Sequence, residues 1–211
     1  MYRRCGFRHE KKLRAIGIAR IAGIDEAGRG ALAGPVVAAA VVLPERFRHR
    51  RLNDSKQLAP ELREEIYNEL LANAEITWAI GVVDHMEIDR INILRASHKA
   101  MRAAIEALAC PPEHVLIDGR PVIPFPFPQT AIIDGDCFSL SIAAASVIAK
   151  VTRDMMMRDF CRQFPEYCFS QHKGYGTELH LIKLHELGPC PIHRRSFEPV
   201  AQPLPALEGI I

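Results

Sequence analysis

The sequence predicts an α/β domain with a mixed sheet and a helical C-terminal region. Short apolar, β-rich runs fall early in the chain and the longest helical pattern falls late, while acidic residues sit at the ends of the early runs instead of being scattered along helix faces. With 211 residues, 48% of them hydrophobic and 25% charged, the chain can bury a full core and is near the length of one large domain.

Taken in order, residues 9–16 form a basic amphipathic stretch that reads as a helix stopped at Gly17, and residues 18–24 read as a strand. The stretch IAGIDEAGRGALAGPVV ends that strand in Asp25 and Glu26 and then surrounds Arg29 with glycines. Residues 36–43 are β-rich and stop at Pro44, which predicts an antiparallel neighbour for the first strand. In NDSKQLAPELREEIYNELLANA, Pro60 suits a first helical turn, Glu61, Glu64 and Glu65 favour its positive end, and Leu62, Ile66, Leu70 and Leu71 make an apolar stripe. Strand returns over 75–83. Residues 84–108 read as a short helix and a longer one, with Ile93, Leu94, Met101, Ile105 and Leu108 inward. Residues 114–117 form a short strand ending at Asp118 and Gly119, RPVIPFPFPQ is a loop, and 130–133 a further strand. The longest helical pattern spans 139–164, where the small residues 143–146 allow close approach to a sheet. Thr177 caps a last helix that stops at Gly188, and the proline-rich tail beyond it is expected on the surface.

Charge says little by its sum: 27 Lys and Arg against 25 Asp and Glu leave +2, which does not mark a nucleic-acid binder. Its distribution is uneven. Arg3, Arg4, Arg8, Lys11, Lys12, Arg14 and Arg20 crowd the first stretch against Glu10 alone, and Arg46, Arg48, Arg50 and Arg51 make a second run. Both read as a solvated face or loose arm, or as ground for a phosphate-rich partner. Six cysteines without a C-x-x-C pair or a secretory signal point to reduced thiols in the cytoplasm. His180 and His185, five apart, do not share a helical face as a zinc pair requires. The longest apolar run, 31–43, is broken by Gly34 and Pro35 and is short of the roughly 20 residues that span a bilayer, so no membrane segment is expected.

The acids are informative by position. Asp25 and Glu26 end one strand, Asp118 ends another and Asp136 precedes the long helix, so the fold can bring them together. Carboxylates gathered in one place repel each other unless a divalent cation such as Mg²⁺ or Mn²⁺ lies between them. Each also has an ordinary reading, Asp118 as a turn residue and Asp136 as a helix cap. Neighbours on a regular strand point to opposite faces, so Asp25 and Glu26 can both reach one site only with a twist or bulge at the strand end. Gly28, Arg29, Gly30 and Gly34 permit close approach of backbone to a ligand, but they match neither a P-loop nor a Rossmann turn. Ser55 and Lys56, or Lys150 and Arg153, offer phosphate ligands, though the pattern alone favours surface charges. Tyr175, between two glycines in HKGYGT, either reaches a partner or tucks onto the core.

GIDEAGRGALAGPVVAAAVVLP, LNDSKQL, IDRINILRASHKAM, IDG, GDCFSLSIAAASVIAKVTRD, HKGYGT and HRRSFEPV together resemble bacterial ribonuclease HII, a type 2 ribonuclease H, in the family's order from about Ile21 to Val200. The resemblance implies a ribonuclease H-like mixed five-stranded sheet flanked by helices, with a helical C-terminal extension. It divides the chain into a basic segment 1–20, a catalytic domain 21–188 and a tail 189–211. It implies an endonuclease that cleaves the RNA strand of RNA/DNA hybrids and cuts 5′ of single ribonucleotides in duplex DNA, using Mg²⁺ or Mn²⁺ in a two-metal hydrolysis, as a cytoplasmic monomer. Carried over by motif, Asp25, Glu26, Asp118 and Asp136 are the metal-binding and catalytic acids, Asp136 being preferred to Asp134 by its distance from AAASVIAKVTRD. Gly28, Arg29 and Gly30 then recognise the ribonucleotide 2′-hydroxyl and the adjacent phosphate, and Tyr175 bonds the same hydroxyl and stacks on the next sugar. Lys56, Lys150 and Lys173 are expected to hold phosphates. A sugar-kinase-like nucleotide binder would need duplicated halves, which the chain lacks, and a non-catalytic hybrid-binding protein would favour positive groups over four acids.

Overall fold

In the computed structural model, which describes residues 5–53 and 55–202 apart from the side chain of Lys56, the chain runs through α1 (Arg8–Arg14), β1 (Ile21–Ala27), β2 (Val36–Val42), α2 (Pro60–Ala72), β3 (Thr77–Val83), α3 (His85–Ile91), α4 (Ile93–Glu106), β4 (His114–Asp118), β5 (Gln129–Ile132), α5 (Leu140–Gln163), α6 (Phe169–His172) and α7 (Glu178–Leu187). The strands form one five-stranded mixed sheet in the order β3-β2-β1-β4-β5. β2 runs antiparallel to β1 and β3, whereas β4 runs parallel to β1 and β5.

Helices cover both faces of the central strands, so these strands read as continuous apolar runs. Ala22, Ile24, Val36, Ala38 and Ala40 pack in one core cluster with Ala96, Ala100, Ala104 and Ile105 of α4. Ala27, Ala39 and Val41 share the opposite cluster with Ala143, Ala144, Val147 and Ile148 of α5. The long helix comes close to Gly23 of β1 just before the predicted small run 143–146, where a Cβ would lie 2.1 Å from the Ser141 carbonyl carbon and 2.3 Å from Ile142 N.

β1 starts and ends later than its sequence pattern predicts. Its pairing with β4 begins at Ile21↔His114 and its pairing with β2 continues to Ala27↔Val37, so Asp25 and Glu26 lie inside the strand. Ladder partners on both sides, absent from any local pattern, extend it. Leu94, expected inward, is 50% exposed.

Both ends of the chain are more engaged than expected. The basic stretch is no loose arm over its described part, because Phe7 and Glu10 are buried. Glu10 Oε1 accepts from Ser139 Oγ (2.6 Å) and Ser141 N (3.1 Å), tying α1 to the start of α5, while Ser139 caps α5 by accepting from Ile142 N. Arg3 and Arg4 lie outside the described residues. The proline-rich tail does not lie on the surface through its first part. Arg194 N donates to Leu32 O (2.8 Å), Gly34 N donates to Ile192 O (2.9 Å), and the His193 and Arg194 side chains are fully buried. The loop after β1 takes its backbone hydrogen bonds from this tail and from Gly174, with isolated bridges pairing Ala33 with His193 and Ala31 with Tyr175. Among the described residues no helix is long and apolar enough to cross a membrane.

The helix backbone facing Gly23 cannot give way as a flexible side chain could. Gly23→Ala is therefore expected to lower unfolding free energy by about 3 kcal/mol, measured by urea denaturation.

Candidate active site

Because β1 and β4 are parallel, their C-terminal ends reach the same edge of the sheet, and the register Ile24↔Ile117 sets Asp25 beside Asp118. Asp136 comes from the short helical turn Gly135–Cys137, which Gly135 N anchors by donating to Asp118 Oδ1 at 2.7 Å. One carboxylate oxygen each from Asp25, Asp118 and Asp136 lies within 4.8 Å of the others. Asp25 is 4% exposed and Asp136 3%. Burial holds the Asp25 carboxyl well above its usual range, and the charges of Glu26, Asp118 and Asp136 push it further while a Ser146 hydrogen bond opposes them. Asp134, the competitor in sequence, is exposed with φ of 53°.

The pairing of β1 with β2 continues through Asp25↔Ala39 and Glu26↔Ala38, so no bulge turns the two acids to one face. Asp25 joins the three-acid cluster, and Glu26 lines the same cavity of about 420 Å³ near the strand end. Glu26 Oε1 accepts from Arg29 Nη1 at 3.1 Å, which links the acids to the glycine loop. Gly28, Arg29, Gly30, Asp118, Lys150 and Tyr175 line this cavity too. Eight predicted site residues thus line one cavity: Asp25, Glu26, Gly28, Arg29, Gly30, Asp118, Lys150 and Tyr175.

The family model for ribonuclease HII matches residues 22–200. This chain belongs to the ribonuclease HII family. Ribonuclease HII of Geobacillus kaustophilus (strain HTA426) is 52% identical over 203 residues, covering 96% of this chain and 77% of that one. Ribonuclease HII of Geobacter metallireducens is 51% identical over 186 residues, 88% of this chain and 87% of that one. The solved ribonuclease H2 from Pyrococcus horikoshii OT3 matches with a TM-score of 0.70 at 26% identity, covering 86% of this chain and 95% of that chain. As a member of the ribonuclease HII family the chain is an endoribonuclease, a hydrolase.

Two arginines shape this ribonuclease HII site in a way the sequence reading missed, which gave Arg153 only as a phosphate ligand or surface charge and gave Arg194 no role. Arg153 and Arg194 are fully buried and make no ion pair among the described residues. Arg194 donates to the carbonyls of Gly28 (2.7 Å), Arg29 (2.9 Å), Gly34 (3.0 Å) and Pro35 (3.2 Å). Arg153 donates to those of Pro35 (2.9 Å), Ala33 (3.0 Å) and Lys173 (2.9 Å). Burial pulls both guanidiniums below their ordinary values. Gly28 has φ of +98°, and a Cβ there would sit 2.0 Å from Arg153 Nε, so only glycine fits. The motifs HRRSFEPV and TRD contain these arginines, but nothing local distinguishes a buried arginine from a solvated one.

Tyr175 is half-buried and forms a β-bridge with Ala31, and Leu32 N donates to Gly174 O at 2.7 Å. The Arg153 guanidinium lies 5.2 Å and Lys150 Nζ 5.7 Å from its ring centroid. Lys150 Nζ also donates to Asp154 Oδ1 at 2.5 Å, and burial lowers its pKa. Asp154 therefore balances a lysine. Lys173 is not among the cavity-lining residues, and its ammonium donates to the Ser170 carbonyl. The Lys56 side chain lies outside the described residues, while Ser55 Oγ meets Ser146 Oγ at 2.8 Å at the cavity wall.

A lysine cannot supply the planar fork that Arg194 uses on four carbonyls. Arg194→Lys is expected to cost about 3 kcal/mol or more by urea denaturation, since several buried carbonyls lose their donors.

Proposed function

We propose that this chain hydrolyses the RNA strand of RNA/DNA hybrids and nicks duplex DNA 5′ of a single embedded ribonucleotide, leaving 3′-hydroxyl and 5′-phosphate ends. The observation that carries this reading is one cavity joining carboxylates to a glycine loop and a tyrosine. A cleavage site and a reader of the sugar are thereby side by side.

Asp25, Asp118 and Asp136 offer hard oxygen donors, are mutually repulsive and include a carboxyl pushed up by burial, which suits Mg²⁺ or Mn²⁺. Asp25, Glu26, Asp118 and Asp136 would hold two such ions, which when bound supply activation of water for in-line attack and stabilisation of the departing 3′ oxygen. Gly28, Arg29 and Gly30 bring backbone against the ribose, where the 2′-hydroxyl alone separates RNA from DNA. Tyr175 offers its hydroxyl to that group and its ring to the next sugar. Lys150 faces phosphate within the cavity, and Lys56 and Lys173 serve flanking phosphates without reading sequence. The enzyme acts as a monomer in the cytoplasm, whose reducing conditions suit a chain with six cysteines and no C-x-x-C pair.

The test is nicking of a duplex with one ribonucleotide, beside an all-DNA duplex, with Mg²⁺ or Mn²⁺. The wild type is expected to cut only the first. Asp118→Asn should lower its rate about 100-fold or more with unchanged thermal unfolding. Cutting of both duplexes, or of neither, sinks the proposal. Tyr175→Phe is expected to lose about tenfold in kcat/KM on the ribonucleotide duplex, the worth of one hydrogen bond. An unchanged kcat/KM would remove Tyr175 from the 2′-hydroxyl contact.

A further inference from the structure

Three histidine rings adjoin the Tyr175 segment, each from a different piece of chain: His172 from the end of α6, His180 from α7 and His193 from the tail. All are buried, at 7%, 0% and 0% exposure. The His172 and His180 rings stack with centroids 4.2 Å apart, and Phe169 meets both edge-on.

Their hydrogen bonds determine where every ring proton sits. Cys190 N donates to His193 Nδ1 (3.0 Å), so His193 carries its proton on Nε2 and donates it to His180 Nε2 (3.0 Å). His180 must then be protonated on Nδ1, which donates to the Tyr175 carbonyl at 2.9 Å. Gly174 N donates to His172 Nδ1 (3.1 Å), leaving His172 Nε2 to donate to Tyr167 O (2.7 Å). The pattern closes only with three neutral rings, because a second proton on His180 would face the Nε2–H of His193.

We propose that His180 is a positioning residue for Tyr175, oriented by His193 in a one-way relay that ends on the Tyr175 carbonyl. The inference rests on the reading of Tyr175 as the 2′-hydroxyl contact. Tyr175 lies between glycines, where backbone freedom is largest, and among the described residues its carbonyl otherwise accepts only the short-range bond from Thr177 N (2.8 Å). Gly174 on its other side is held by His172 and, through Leu32 N, by the loop after β1. Burial keeps the rings neutral, helped by the rings' effect on one another and by the cations Lys173 at His172 and Arg195 at His193, with His180 at about 4 and His193 at about 3. Folded rings that bind fewer protons than unfolded ones, whose value is about 6.5, keep their full contribution to stability above that pH and lose it as pH falls toward 4. The relay is therefore intact throughout the neutral range.

Two replacements separate the donor from the ring. His180→Phe keeps an aromatic ring and removes the donor, whereas His180→Asn keeps an amide donor near the position of Nδ1. On the single-ribonucleotide duplex with Mg²⁺, His180→Phe is expected to lower kcat/KM about tenfold and His180→Asn to recover most of it. In a Tyr175→Phe background the same His180→Phe change should cost less than about twofold, because the two residues act through one contact. Affinity for an all-DNA duplex should stay unchanged. Exchange of the amides at 174–177 should quicken in His180→Phe only. A wild-type rate for His180→Phe beside an impaired Tyr175→Phe overturns the inference and leaves the Tyr175 reading standing, while a wild-type rate for Tyr175→Phe overturns both. Equal losses in the two backgrounds, or equal impairment by Phe and Asn, would reduce His180 to a packing residue. If His180→Phe does not fold, His193→Phe carries the test one bond back, with an expected loss of about threefold that must vanish in the Tyr175→Phe background.

Discussion

The site depends on two buried guanidiniums satisfied by backbone alone. Arg153 and Arg194 between them hold carbonyls at Gly28, Arg29, Ala33, Gly34, Pro35 and Lys173. An arginine in the interior is costly unless every donor is used, and a glycine-rich loop is mobile unless its polar groups are used. Each requirement meets the other. The loop stays open to the cavity on one side because it is pinned on the other, and the pins come from α5 and the tail, which join the active edge to the C-terminal third of the chain.

Repulsion among the carboxylates is the opposing constraint. Asp25, Asp118 and Asp136 are held close by parallel strand ends and by the bond from Gly135 N to Asp118, at an electrostatic disadvantage visible in the raised Asp25 carboxyl. The sheet maintains that arrangement through packing: Ala38, Ala39 and Ala40 of β2 are small enough for helices to close on both faces. The core thus holds together carboxylates whose repulsion a divalent cation would relieve.

Glycine gives the loop and the tyrosine their reach, and buried polar groups take away their freedom. On the Tyr175 side the restraint is a set of neutral imidazoles, which suits a place where the nearby charges are already positive. On the Gly28 side it is a pair of guanidiniums. Both restraints lie behind the cavity wall, so on this side the cavity is lined by loop backbone, Tyr175, Arg29 and Lys150.

Local chemistry determined much on its own. Pro60, Thr177 and the Gly188 stop announce helix ends because caps act over three or four residues, and the alanine run of α5 announces close packing because small side chains do so anywhere, whereas the cap of α5 is Ser139 and not Asp136. The motifs around Asp25, Asp118, Asp136 and Tyr175 carried family and chemistry. The end of β1, the exposure of Leu94 and the burial of Glu10 were not legible, since each depends on a partner tens of residues away. The same holds for Arg153, Arg194 and the histidines: in sequence they are ordinary polar residues, and only burial turns them into structural donors. How Asp25 and Glu26 reach one cavity without a bulge was likewise decided by where the strand ends in three dimensions. Sequence records which groups are present and what they prefer locally, whereas desolvation and long-range hydrogen bonding, which give those groups their roles, exist only once the chain has closed on itself.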